Sequence, residues 1–168
     1  MTPEETVMTP ETTSRTIVVG YDGSPAALAA VEYAIDRAIP EGRLVLVNAY
    51  DVPIDYAGAS YYPEMREDAS QYATNVLDDL ERDCKRLGAV EHERDIAVGS
   101  AAVAIARAAE VNEADEIVIG SRGLGRVRAL LGSVAHDVIH LAHCPITVIP
   151  DRMVELQTAT PTAVSSAA

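Results

Sequence analysis

Apolar positions along the chain gather into five short runs, and the segments between them carry apolar residues at spacings of three and four. Thr16 to Gly20 (TIVVG), Arg43 to Ala49 (RLVLVNA), Arg94 to Val98, Glu116 to Gly120 (EIVIG) and Pro145 to Ile149 (PITVI) read as strands. Runs this continuous, rather than alternating, belong to strands covered on both faces. Ser24-Pro25 is a helix cap followed by proline at the first helical position. The helix continues through Val31, Ala34, Ile35 and Ala38 and breaks near Pro40 and Gly42. Ala69, Tyr72, Val76, Leu80, Cys84 and Leu87 predict a second amphipathic helix closed by Gly88. Ser100 is expected to cap an Ala-rich helix over Ala102 to Val111, and a last helix is expected over Ser133 to Ala142.

Strands alternating with helices in this rhythm predict an α/β fold: an open parallel five-stranded sheet with right-handed crossovers and helices on both faces. Ligands of such sheets sit at the carboxyl ends of the strands, where the strand order switches. The segment Tyr50 to Arg66 holds Pro53, Gly58, Pro63 and four tyrosines without a period, so it reads as a long loop. Residues 1–14 repeat the motif MTPE and have no apolar period, and residues from 153 to the end are rich in Thr, Ala and Ser. Both are expected to be disordered arms flanking one domain over 15–152.

Composition narrows the core and the partners. Of 168 residues, 48% are apolar, yet Phe and Trp are absent, so the core must come from aliphatic side chains, alanines and a few of the seven tyrosines. The formal net charge of −13 repels nucleic-acid phosphates and anionic head groups, which argues against DNA, RNA and membrane-surface partners. Cys84 and Cys144 match no metal-ligand or CxxC spacing, and no signal peptide precedes them. The expected compartment is the reducing cytoplasm.

Two polar loops fall at strand carboxyl ends. The first is Gly20-Tyr21-Asp22-Gly23-Ser24. The second runs from Gly120-Ser121-Arg122-Gly123-Leu124-Gly125 to Gly132-Ser133. In the second, glycines permit close backbone approach, and the helix opening at Ser133 offers N–H groups to phosphate. Arg122, Arg126 and Arg128 can add positive charge. Alone, such a loop reads more readily as plain turns beside a solvated arginine face; a second loop converging on the same edge takes weight from that reading and favours a phosphate cradle. Asp22 can accept from ribose hydroxyls or cap its own loop. Asn48 and Ala49 end the second strand, where backbone groups can read an adenine edge. His136, His140 and His143 lie at helical spacings that can present two imidazoles to a metal, but no carboxylate or Cys pair completes a site at the usual spacing, so a polar helix face is expected and no metal is assigned. The chain has no GxxxxGK[ST] loop, no GxGxxG and no GxSxG elbow.

The segment GSRGLGRVRALLGSVAHDVIHLAHCPITVIP resembles the carboxyl-terminal signature of universal stress proteins of the ATP-binding kind, and TIVVGYDGS resembles that family's first strand and loop. The resemblance covers about Arg15 to Pro150. It implies the Rossmann-like fold of the nucleotide α-hydrolase superfamily, with ATP and Mg²⁺ as cofactors. Carried over by position, it implies that Asp22 contacts ribose or adenine and that backbone near Ala49 reads the base. It places Gly120, Gly123, Gly132 and Ser133 on the phosphates and Val98 and Gly99 in the cleft, with Arg122 and Val134 beside them. It also implies a homodimer through the last strand. This chain has eight residues between Gly123 and Gly132 where the family pattern has nine. The expected function is a nucleotide-dependent stress-response or signalling module, with slow ATP hydrolysis at most and no assigned catalytic residue. Its alternatives are an interaction protein with a degenerate nucleotide site and an adenylating enzyme of the same superfamily.

Overall fold

In the computed structural model, which describes residues 14–50, 62–121 and 131–150, all five expected strands form. They are β1 (Thr16–Gly20), β2 (Arg43–Tyr50), β3 (Glu91–Val98), β4 (Glu116–Gly120) and β5 (Ile146–Ile149). All four pairings are parallel, in the order β3-β2-β1-β4-β5. The helices are α1 (Pro25–Ala38), α2 (Tyr62–Asp83), α3 (Ala101–Val111) and α4 (Ser133–Leu141). The expected terminal arms, and the part of the expected loop over 51–61, lie outside the described residues.

Side chains alternate across the sheet with the period of two that a strand dictates. Ile17 and Val19 of β1, Leu44 and Leu46 of β2, and Val118 of β4 face a core shared with α1 and α2. Val18, Val45, Val47, Ile117 and Ile119 face the opposite core, shared with α3 and α4. Both faces of the central strands are therefore sealed, which is why their sequences read as unbroken apolar runs. In α1 the expected stripe of Val31, Ala34, Ile35 and Ala38 is buried. Ser24 caps it by accepting from the Ala27 N–H at 3.2 Å.

Three expectations need correction. The second helix begins at Tyr62, inside the segment expected to be loop, and it ends at Asp83; Lys85–Ala89 then forms a 3₁₀ turn. Leu87 N–H donates to the Cys84 carbonyl and Val90 N–H to the Leu87 carbonyl, so the chain tightens to i→i+3 bonds on both sides of Gly88. The buried stripe of α2 passes through Ala73, Leu77 and Leu80. Tyr72, expected on that stripe, is 61% exposed. Finally, β3 starts three residues earlier than expected, at Glu91, because all eight of its residues pair with β2 despite their polar character.

The amino ends of the strands are held by polar ties. Buried Glu116 accepts from Arg37 Nε at 2.9 Å and from Thr147 Oγ1, joining α1, β4 and β5. Arg43 reaches Glu93, Asn112 and Thr16, joining β1, β2, β3 and the end of α3. On the β3 side, Arg94 donates to Asp78 and Glu81 of α2, and this pairing holds the Glu81 carboxyl below its ordinary range.

Leu77 is fully buried while Tyr72, on another side of the same helix, is not. Leu77→Ala is expected to lower stability by about 2–5 kcal/mol, whereas Tyr72→Ala should stay within about 0.5 kcal/mol of the parent. Urea unfolding of both variants checks the rotation of α2; equal losses would return Tyr72 to the core.

Candidate functional site

The sheet order switches between β1 and β4: from β1 the chain crosses to β2 over one face, and from β4 to β5 over the other. At their carboxyl ends the two strands part, and a cleft of about 90 Å³ opens there, several times the space one water needs. Gly20, Tyr21 and Asp22 from β1 and its loop line it, with Val47, Asn48 and Ala49 from β2. Ile119 and Gly120 come from β4, Ala27 from α1, Ala101 and Ile105 from α3, and Val134 from α4. Most of this lining is apolar, and Asp22 is the one carboxylate among the described lining residues.

Of the site residues expected from sequence, the cleft brings together Asp22, Ala49, Gly120 and Val134. Gly132 and Ser133 stand immediately before Val134, at the start of α4. Val98 and Gly99 close β3 outside the cleft lining. Gly99 takes a φ of +105°, a conformation that favours glycine, and its N–H donates to the Tyr50 carbonyl at 2.8 Å. Arg122 and Gly123, with Arg126 and Arg128, lie outside the described residues. The described residues on either side of that loop meet: the Gly132 N–H donates to the Ser121 carbonyl at 2.8 Å, which hangs the start of α4 from the end of β4.

Gly120 has a packing duty besides any contact with a ligand. A Cβ there would lie 2.9 Å from the Ala26 carbonyl carbon and 3.0 Å from the Ala27 nitrogen, so only glycine lets α1 approach the end of β4 so closely. Asp22 likewise does local work, its Oδ1 accepting from the Ser24 N–H at 3.0 Å. This fixes one carboxylate oxygen in the turn.

Each of the four helices follows a strand and begins at this end of the sheet, and the three whose cap positions are described differ in how their first N–H groups are satisfied. In α1 the Ser24 hydroxyl occupies the cap. In α3 Ser100 stands at the cap position, but its hydroxyl makes no capping bond, contrary to expectation. In α4 the cap position is Gly132, which has no side chain. The first turns of α3 and α4, which supply Ala101 and Val134 to the cleft, thus present N–H groups to which their own cap residues contribute no side-chain bond.

Sequence reasoning placed Asn48 by position alone and did not anticipate Tyr21, Ala101 or Ile105. The buried Asn48 side chain donates through Nδ2 to the Tyr21 carbonyl at 2.7 Å, tying the end of β2 to the loop that carries Asp22. A polar residue ending an apolar strand was the available signal. Tyr21 is 9% exposed; burial first, and the neighbouring Asp22 second, push its phenol above the ordinary range. An acid whose folded-state value is raised adds stability that is fully present below the unfolded value of about 10 and is lost as pH rises through the folded value. Alkaline titration followed at the phenolate absorbance, parent minus Tyr21→Phe, should therefore isolate one phenol with a midpoint above about 10. A difference midpoint at or below that value would contradict the buried setting.

Comparison with known proteins bears on what such a cleft does. Residues 13–150 match the model of the Universal stress protein family. The chain is 36% identical over 138 residues to a universal stress protein of Thermus aquaticus, a match covering 80% of this chain and 98% of that one. Among solved structures it is similar to the universal stress protein UspA of Lactobacillus plantarum, with a TM-score of 0.70, 25% identity and coverage of 80% and 97% of the two chains. It is also similar to a universal stress protein solved in complex with cAMP, with a TM-score of 0.60, 27% identity and coverage of 80% and 96%.

Proposed function

The chain belongs to the universal stress protein family, and from that premise we propose that it is an adenine-nucleotide-binding member that takes ATP in the switch-point cleft and acts through occupancy rather than turnover. The observation that carries this reading is the composition of the described cleft lining: an apolar slot, one carboxylate, and two helix starts to whose N–H groups the cap residues contribute no side-chain bond. The slot between Val47, Ile105 and Ile119 suits a planar base, with the Ala49 backbone at its rim. Asp22 keeps one oxygen in the turn, and its other oxygen is the acceptor we assign to ribose. Phosphates are assigned to the first turn of α4 and to Gly132 and Ser133, with Gly120, Arg122 and Gly123 on the connecting loop. Mg²⁺ would arrive on the phosphates, its usual carrier, rather than in a protein cage.

Occupancy is favoured over catalysis because Asp22 is the only carboxylate among the described lining residues and is already engaged by the Ser24 N–H. Among the described lining residues no second group stands ready to activate water. The similar protein solved with cAMP supports an adenine nucleotide as the ligand class. A stress or signalling role would follow from ATP favouring one conformer or assembly through differential affinity.

We further propose a two-fold homodimer through β5. The two edges of the sheet differ in kind. β3 carries Glu91, His92, Glu93, Arg94 and Asp95, charges that discourage strand addition, whereas β5 is the apolar run ITVI. The carbonyls of Pro145 and Ile149 accept from β4, so Thr147 between them also turns its backbone to β4, while Ile146 and Val148 turn theirs outward. No helix among the described residues is long and apolar enough to cross a membrane.

Calorimetry is expected to show saturable binding of ATP with Mg²⁺. Asp22→Ala should weaken it tenfold or more, about 1.4 kcal/mol or above, with the fold intact by circular dichroism. No heat and no thermal shift with ATP, ADP, AMP or cAMP would favour the degenerate-site alternative instead. For the dimer, light scattering should give twice the chain mass at micromolar concentration. Val148→Pro, which removes an outward donor, should shift it toward one chain mass while leaving nucleotide binding unchanged; a parent of single-chain mass would exclude the interface.

A further inference from the structure

On α4, two residues that the nucleotide reading does not use are brought together. The imidazoles of His136 and His140 stand with ring centroids 4.9 Å apart and planes inclined by 60°, both exposed to solvent. Two imidazoles sharing one tetrahedral or square-planar metal through bonds of ~2.1 Å would have ring centres roughly 4.5–5.2 Å apart. The pair therefore already has the separation that chelation demands. A second contact prepares it: His136 Nδ1 lies 3.2 Å from Asp137 Oδ1, where an Nδ1–H donates to the carboxylate and leaves Nε2 as the free lone pair. Metal-binding histidines are commonly oriented by a carboxylate in this way. His143 is not part of the pair; it lies past the end of α4, in a shallow groove against Val103, Arg107 and Glu110 of α3.

We propose that His136 and His140 form a two-imidazole site for a borderline divalent transition metal, Zn²⁺, Ni²⁺ or Cu²⁺, with Asp137 as its positioning residue. Among the described residues no group of three or more His, Cys, Asp or Glu converges, so water completes the coordination. Nitrogen ligands exclude Mg²⁺ and Ca²⁺, which take oxygen. The chain's net charge of −13 concentrates cations near its surface without selecting among them. Joining i and i+4 across one turn, the metal would staple a helix of nine residues whose first turn supplies Val134 to the cleft. The site rests on α4 alone and does not depend on the nucleotide reading.

The test is a titration of the full-length, tag-free chain with ZnCl₂, NiCl₂ or CuCl₂, followed by calorimetry and by the imidazole proton resonances. Saturable binding at one metal per chain is expected, with His136 and His140 resonances moving together and MgCl₂ at the same concentration without effect. His136→Ala and His140→Ala should each lower affinity at least tenfold, and Asp137→Asn severalfold to tenfold. His143→Ala should bind like the parent. All four positions are exposed, so folding is not at stake, and circular dichroism verifies it. Absence of saturable binding for all three metals at roughly millimolar concentration, or unchanged affinity in both alanine variants, would overturn the proposal.

Discussion

The structure depends on one strand being paired and covered on every side. β1 bonds to β2 along one edge and β4 along the other, and Ile17, Val18 and Val19 are sealed by helices above and below. Because both neighbours run parallel to it, no connection can be a tight hairpin, and the chain must cross over a face of the sheet to start each new strand. The crossovers from β1 and β4 leave on opposite faces, and their divergence opens the cleft. The site is thus a geometric result of the strand order, independent of which residues line it. The same arrangement separates duties along the strands: Glu116 and Arg43 lock the amino ends by ion pairs and hydrogen bonds, while the carboxyl ends remain open to a ligand.

Within that cleft the donors are mostly backbone. A chain this acidic would repel a free anion at long range, and the described lining holds no cationic side chain to offset it. What the described part of the cleft offers at short range is dipolar: the first turns of α3 and α4, to which their own cap residues contribute no side-chain bond. α1 shows the contrast, since Ser24 closes its start. Whether the cap residue's side chain closes the first turn, as Ser24 does and Ser100 and Gly132 do not, therefore distinguishes the helix start that builds the fold from those left available to a ligand. Asn48 adds the stiffness such a cleft needs, since its amide to the Tyr21 carbonyl extends the tie between β1 and β2 just beyond the last backbone bond, in which the Tyr21 N–H donates to the Val47 carbonyl.

Much of this was legible in the sequence where burial is two-sided. β1, β2 and β4 announced themselves as apolar runs, and α1 by Ser24-Pro25 and an alanine-rich stripe. Legibility failed where burial is one-sided. The residues of β3 before Arg94 are polar because they occupy an edge, so pairing with β2, not hydropathy, makes them a strand. In α2 two apolar stripes run one residue apart, one through Tyr72 and Val76 and the other through Ala73 and Leu77. Helical spacing admits both, and only packing on the sheet selects the second. In the site, Asp22, Ala49 and Gly120 were readable because they follow strands directly. Ile105 was not, because its approach to the cleft is set by how α3 folds back over the sheet, and Tyr21, although named in the expected loop, carried no sign that its side chain would be buried there. Gly120 was legible as a special position for a reason that is only half the story: its missing side chain also admits α1.

The charged border at β3 has a consequence for how large an assembly of this chain can grow. If two copies join across β5 about a two-fold axis, the continuous sheet that results has β3 at both of its outer margins. Each margin then bears Glu91, Glu93 and Asp95 against solvent, with Arg94 drawn back toward α2. A third copy would have to lay its backbone against like charges over the first five residues of that border, leaving only Ile96, Ala97 and Val98 as an apolar end. Growth would stop at two because the sheet consumes its single adhesive edge in the first step, and a chain rich in β-branched strands would be kept from open-ended stacking by the composition of one peripheral strand.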